Sequence, residues 1–475
     1  MKSSIYFLLF ACLLPVTARA QIGMGGQPHP SAVLDLKATD KGFYPPRLTT
    51  AQRKAITNAQ PGMFVYDLDK GTFYLFDGQN WSPLAFTSAN NLAPIDRTAS
   101  DGGGGDSFGF SVAISGDYAL VGALYDDVGA NNDQGSAYVF VRSGSSWTQQ
   151  DKLTASDGAA SDNFGNSVAI SGDYALVGAN GDNSGANLNQ GSAYVFVRSG
   201  SSWTQQDKLT ASDGAANDLF GRSVAISGNY ALVGASFDDV GADTDQGSAY
   251  IFVRSGSSWT QQAKLTASDG AGSDRFGESV AISGDYALLG AFNDDVGGDT
   301  DQGSAYVFVR SGSSWTQQAK LTASDGAAFD SFGSSVAISG NYALLGALSD
   351  DIGGDTDQGS AYVFVRSGSS WTQQAKLTAS DGAGGDNFGI SVALSGDHAL
   401  VGAFNDDIGA NNDQGSAYLF KRTGTNWPLV RAVTDNAPAN TNNGTGVGIS
   451  NGSFIIGGPG FESDKGKMAF GTVDN

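Results

Sequence analysis

"DNFGNSVAISGDYALVGA", residues 162–179, places short apolar runs on either side of a Gly-Asp bend. Val168, Ala169 and Ile170 precede Gly172-Asp173, and Ala175, Leu176 and Val177 follow it, so the stretch reads as a β-hairpin. Nearly the same wording returns along the chain. The Phe-Gly pairs start at Phe108, Phe164, Phe220, Phe276, Phe332 and Phe388, each 56 residues after the last. A fixed period of this size marks a repeat architecture, in which one unit buries its apolar faces only against its neighbours.

Two more segments complete the unit. An acidic loop leads into GSAYVFVR, Gly191–Arg198, and after SGSS comes WTQQDKLTA, Trp203–Ala211. In the third segment Tyr194 and Phe196 point one way and Ala193, Val195 and Val197 the other. Both sides are apolar, as expected of a sheet covered on both faces. The fourth mixes Trp203 and Leu209 with Gln, Asp, Lys and Thr, the texture of an outer edge. Four antiparallel strands per unit, repeated, predict an all-β propeller.

The two ends set the count. After the sixth Phe-Gly, GVGISNGSFIIGGPG and DKGKMAFGTV read as worn copies of the first three strands, with no fourth. LAPIDRTASDG, Leu92–Gly102, lies 56 residues ahead of TQQDKLTASDG, Thr148–Gly158, and shares its last five residues. The sequence therefore predicts a seven-bladed β-propeller of four-stranded antiparallel blades over residues 92–475, its seventh blade closed by an N-terminal strand.

The unit resembles the FG-GAP repeat, known from the seven-bladed propeller of integrin α subunits and from many bacterial surface proteins. Phe-Gly stands before the first strand and Gly-Ala after the second. Two departures are visible. The Pro of the family's motif is replaced by Leu124, Asn180, Ser236 and Phe292, and bends such as Gly116-Asp117 and Gly228-Asn229 stand where integrins carry a calcium loop.

A chain of 475 residues with 26 Lys+Arg against 48 Asp+Glu, net charge −22, is unsuited to nucleic acid or an anionic membrane. Residues 1–20 (Lys2, an apolar run from Ile5 to Val16, then Ala18-Arg19-Ala20) read as a signal peptide. Lipid attachment at Cys12 is the alternative, disfavoured by Phe10. The sequence thus predicts an exported protein, secreted or at the bacterial cell surface, without a transmembrane segment beyond the leader. Residues 21–91 predict a small α+β module and linker. SAVLDL suits a strand, Thr49 and Gln52 a capping box, and MFVYDLDKGTFYLFDGQNW a hairpin turning near Asp69-Lys70-Gly71. KGFYPPRLTTAQRKAI and LFDGQNW resemble a module near the start of secreted Bacteroidetes-type and tail-fibre-like proteins. That resemblance implies a presenting, connecting or homo-oligomerising role.

Strand order sends the loop before the first strand and the loop between the second and third to one end of each blade. Copies differ mainly there, which suits recognition, with drift in exposed loops as the alternative. The candidate ligand-binding residues are Phe110, Tyr125, Asn166, Arg222, Phe237, Glu278, Phe292, Ile390 and Phe404. The resemblance to integrins, whose equivalent loops contact ligand, implies the same face.

This end is also acidic, and calcium is the one cofactor the sequence raises. Asp238, Asp239, Asp243 and Asp245, with Asp294, Asp295, Asp299 and Asp301 and then Asp350, Asp351, Asp355 and Asp357, offer closely spaced hard oxygens. The alternative is that these side chains bond loop backbone. No catalytic residues are expected. The two histidines, His29 and His398, form no ligand pair, and His398 stands where other copies have Tyr118 or Tyr174. The predicted function is recognition or adhesion toward an extracellular protein or glycan. A structural part of a surface fibre is the alternative, and a polysaccharide-active enzyme fits less well.

Overall fold

The computed structural model describes residues 22–24, 34–36, 46–70, 72–76, 78–83, 95–434 and 437–473. The expected leader, residues 1–20, and the linker TSANNLAP lie outside them. The chain divides into two compact units, Met1–Ala89 and Asn90–Asn475.

In the first unit, Arg47–Leu48, Phe64–Asp67, Thr72–Phe76 and Trp81–Pro83 form one sheet in that order. The expected hairpin is present, with Phe64 opposite Leu75 and Asp67 opposite Thr72. The expected helix is Thr50–Lys54, started by a capping box in which Thr49 and Gln52 satisfy each other's backbone N–H. The helix is pinned by Arg53, whose buried guanidinium meets the Asp67 carboxylate at 2.8 Å and lies 3.6 Å from the Tyr74 ring centre. Leu34–Leu36, within the expected SAVLDL strand, pairs in parallel with Ile22–Met24.

The second unit is a ring of seven four-stranded antiparallel sheets. Blade 2 is typical: Phe164–Ser171, Tyr174–Ala179, Ser192–Ser199 and Ser202–Leu209. Blade 7 takes Gly446–Ser450, Ser453–Gly458 and Lys467–Thr472 from the C-terminal end and Ile95–Arg97 from the other side of the array. Met468 pairs with Arg97, Ala469 with Asp96 and Phe470 with Ile95. First strands pack on one another around the ring, and that of blade 7 packs on that of blade 1. The ring is closed, as the shared TASDG implied.

Two glycines explain why the motif must be Phe-Gly and Gly-Ala. A Cβ on Gly178, at the end of a second strand, would lie 2.1 Å from the carbonyl oxygen of Gly221, the Phe-Gly glycine of the next blade. The same meeting recurs at every junction, and at the closure it sets Gly457 against Gly109, at 1.9 Å. A side chain at either position would force adjacent blades apart. The Phe beside the glycine also joins the blades. Its N–H bonds the carbonyl of a glutamine one blade back, as from Phe164 to Gln134 at 2.8 Å, and its ring is fully buried against Tyr194 and Phe196.

Between blades the expected two-sided packing is found. Tyr194 and Phe196 of blade 2 share one core with Ala137, Val139 and Leu153 of blade 1. The fourth strand departs from plain alternation. Its register slips between Val195 and Phe196, opposite Asp207 and Gln205. This bulge leaves Gln206 unpaired, and its side chain accepts the indole N–H of Trp259 in the next blade at 3.2 Å. Trp147 has no such glutamine behind it. At the closure it stacks on Phe470 instead, ring centres 4.1 Å apart.

Because Gly457 has an oxygen at 1.9 Å and Gly116 has nothing within 4 Å, their alanine variants separate close approach from backbone strain. Gly457→Ala is expected to cost about 3 kcal/mol or more. Gly116→Ala, at φ +59, should cost only about 1–2 kcal/mol. Urea midpoints of the two variants measure this, and equal losses would refute the role given to the glycine pair.

Candidate functional site

The loop end of the ring rests on an interlocked base. The loop before each first strand crosses the acidic loop of the preceding blade. Ser161 N–H bonds Asn132 O at 2.9 Å, Asn163 N–H bonds Asp133 O at 3.2 Å, and Gln134 is buried beneath Gly158. Each acidic loop also closes on itself. In blade 3, Val240 and Asp243 exchange backbone bonds, and the Asp239 carboxylate accepts the N–H of Asp245 at 2.9 Å.

Below this layer sits a charged knot. In blade 3 the Lys264 ammonium lies 2.7 Å from both Asp213 and Asp238, and the Tyr250 hydroxyl reaches the same two carboxylates at 3.0 and 3.1 Å. Ser248 also donates to Asp238. The knot recurs around Lys152, Lys208, Lys320 and Lys376. Burial works against the Lys264 charge, but its bonds to Asp213 and Asp238 outweigh that and hold its pKa above the ordinary lysine value.

The twelve aspartates considered for calcium therefore have definite places. Asp238, Asp294 and Asp350 are buried and bound to lysine. Asp239, Asp295 and Asp351 cap the N–H groups of Asp245, Asp301 and Asp357. Asp243, Asp299 and Asp355 pair through backbone with Val240, Val296 and Ile352. Among the described residues no three His, Cys, Asp or Glu side chains converge as a cation cage. Of the twelve side chains, those of Asp239, Asp295 and Asp351 bond loop backbone.

The variable residues divide as well. Asn166, Arg222 and Glu278 form a chain across three blades. Asn166 donates to Arg222 O at 3.0 Å, Arg222 pairs with Glu278 at 2.9 Å, and Glu278 accepts from Ser236 at 2.7 Å. Asn166 is buried, so its side chain serves the ring rather than its surface. Phe237 is half-buried under the Arg275 guanidinium at 3.5 Å, while Phe292, Ile390 and Phe404 are also half-buried. Phe110 and Tyr125 stand out, 37% and 46% exposed.

Two further residues join them that were not singled out from the sequence. Leu188 and Phe329 are each 62% exposed. Their equivalents are Asn132, Thr244, Thr300, Thr356 and Asn412 in one case, and Gly105, Ser161, Asn217, Ser273 and Gly385 in the other. A large apolar residue in a slot otherwise polar or glycine was the signal available. Phe329 holds φ +71, a conformation that disfavours bulky side chains.

The family described as FG-GAP repeat matches residues 98–140, 147–196, 203–252, 259–308, 315–364 and 371–420. A phage tail like trimerisation region matches residues 21–94. No curated protein matches the chain. Each full window opens on the outer strand of one blade and ends in the third strand of the next, the same stagger that closes the ring.

Two outcomes follow from the electrostatics. Burial first, then neighbouring carboxylates such as Asp182, push Asp162 up to about 6; Asp218, Asp274, Asp330 and Asp386 behave alike. The folded chain keeps these protons up to about pH 6, whereas the unfolded chain releases them near 3.8. Stability should therefore fall as pH rises from 4 to 7. Asp101, Asp157, Asp213, Asp269 and Asp325 are shifted the other way by their lysines and withdraw stability only below that range. The melting midpoint should be higher at about pH 5 than at pH 7.5, and Asp274→Asn should reduce the difference. Because lysine already occupies the carboxylate pairs of five blades, EDTA in place of calcium should move the midpoint by less than about 1 °C. A larger shift would restore the calcium reading.

Proposed function

The chain belongs to the FG-GAP repeat family, and from that premise we propose a non-catalytic recognition protein, secreted or held at the cell surface. It binds an extracellular protein or glycan on the loop face of its ring. One observation carries this reading. Among the described residues of Asn90–Asn475, five large apolar side chains are exposed, and four of them, Phe110, Tyr125, Leu188 and Phe329, lie on that face. Val430, on an outer strand, is the fifth. Exposed aromatic and aliphatic anchors on a rigid base are what a binding surface requires. Half-buried Phe237 under Arg275 adds an amphipathic contact of the kind that binds peptides and sugars.

The trimerisation region supports a homotrimer built through the N-terminal module. There Phe64 and Leu75 face each other across the hairpin at 40% and 37% exposure, with Met63 and Leu68 also exposed. Burying these residues against two further copies gives the module a physical reason to associate. Three loop faces carried together multiply a weak contact by avidity. The same module favours a second reading, a building block of a surface fibre, in which the ring is a spacer.

An array of extracellular glycans and proteins, probed with the full chain and with a Phe110→Ser, Leu188→Asn, Phe329→Ser variant, distinguishes the two. Recognition predicts a saturable ligand whose affinity falls at least about tenfold in the variant. Trimers in light scattering without any saturable ligand would favour the fibre reading. Monomers would remove the module from both.

A further inference from the structure

Five of the six complete repeats hold a half-buried lysine between two carboxylates, and the sixth has the carboxylates without the lysine. In blade 5 Lys376 pairs with Tyr362 across the sheet, and its ammonium lies 2.7 Å from both Asp325 and Asp350. In blade 6 the residue opposite Tyr418 is Ala432. The rest of the knot is in place. The Tyr418 hydroxyl is 3.0 Å from Asp381 and 2.8 Å from Asp406, close to the 3.0 and 3.1 Å that Tyr250 makes with Asp213 and Asp238. Ser416 donates to Asp406 as Ser248 does to Asp238.

A phenol has one proton and cannot satisfy two carboxylates together. Asp406 is buried, and among the described residues no Lys, Arg or His side chain is recorded pairing with either acid. Arg431, next to Ala432, is turned to blade 7, where it donates to Thr472 O at 2.7 Å and lies over Phe454. Asp407 is committed to the N–H of Asp413. Burial, with the nearby Asp381 charge, raises the Asp406 pKa. Asp381 is exposed, so the pair is approached from solvent on its side.

We propose that the Ala432 notch of blade 6 binds a primary alkylammonium group, the side-chain amine of a lysine on a partner protein, between Asp381 and Asp406. Five sister blades are the second observation. There the same pair holds an ammonium on a four-carbon stem, 5.2 Å from the tyrosine ring in blades 1, 2 and 5. Ala432 removes the stem and the charge and leaves the two carboxylates and the tyrosine that hold them elsewhere. The tyrosine face favours an alkylammonium over a compact metal ion. This proposal does not rest on the recognition reading, because a small amine probes it directly.

The test is thermal denaturation of the full chain with n-butylammonium at constant ionic strength. The unsubstituted protein should show a saturable rise in midpoint, with half-saturation on the order of millimolar. Ala432→Lys should itself raise the midpoint by about 2 °C and lose the response, since the notch is then filled from within. Asp381→Asn, at an exposed position, should weaken the response at least about tenfold and guards against misfolding of the lysine variant. No rise in the unsubstituted protein overturns the proposal. So does an equal rise in all three proteins, or a response to calcium that butylammonium does not reproduce. A failed ligand array leaves these outcomes unaffected.

Discussion

The ring depends on a carbonyl oxygen lying where a side chain would be. At each junction the Phe-Gly glycine of one blade presents its carbonyl to the bare Cα of the Gly-Ala glycine behind it. That distance sets how closely blades approach, and the apolar cores between them fill to match. Blade 7 separates the parts of the motif. It carries Asn443-Gly444 where the others carry Phe-Gly, and the asparagine N–H still bonds Gln414 O at 3.0 Å. The aromatic ring can be replaced, whereas the glycine keeps its partner, with Gly402 meeting Gly444 as Gly178 meets Gly221.

A chain this acidic has to prevent its carboxylates from pushing the loop end apart. It does so locally, one lysine to two aspartates in five blades, and in blades 1 and 3 a tyrosine hydroxyl bridges the same two carboxylates. Other aspartates are spent on backbone N–H groups of the loops they sit in. The negative charge is thus part of the scaffold. Outside this scaffold stand the apolar and amphipathic set above it and the one knot that lacks its lysine.

Much of the fold was legible from spacing. The period of 56 gave the unit, and TASDG at Thr98–Gly102 gave the closing strand, because repeats declare their register in the residues they share. The site was legible only in part. Phe110 and Tyr125 were found through variation between copies and are exposed. Asn166 varies equally and is buried, its amide donating to Arg222 O of the next blade. Leu188 and Phe329 lie in loops outside the Phe-Gly and Gly-Ala pairs, where local sequence does not separate an exposed side chain from a covered one. The aspartates read correctly as an acidic rim, but their lysine partner stands some fifty residues away along the chain from one of them, as Lys264 does from Asp213.

The sequence by itself determined the number of blades, the strands within each and the end at which the chain varies. These follow from periodicity and alternation, which are properties of order along the chain. Only the tertiary structure decided which varied residues reach solvent, which carboxylates are already neutralised, and that Ala432 faces an acidic pair in place of a lysine. Those outcomes depend on distances between residues of different strands and different blades, which no local pattern encodes.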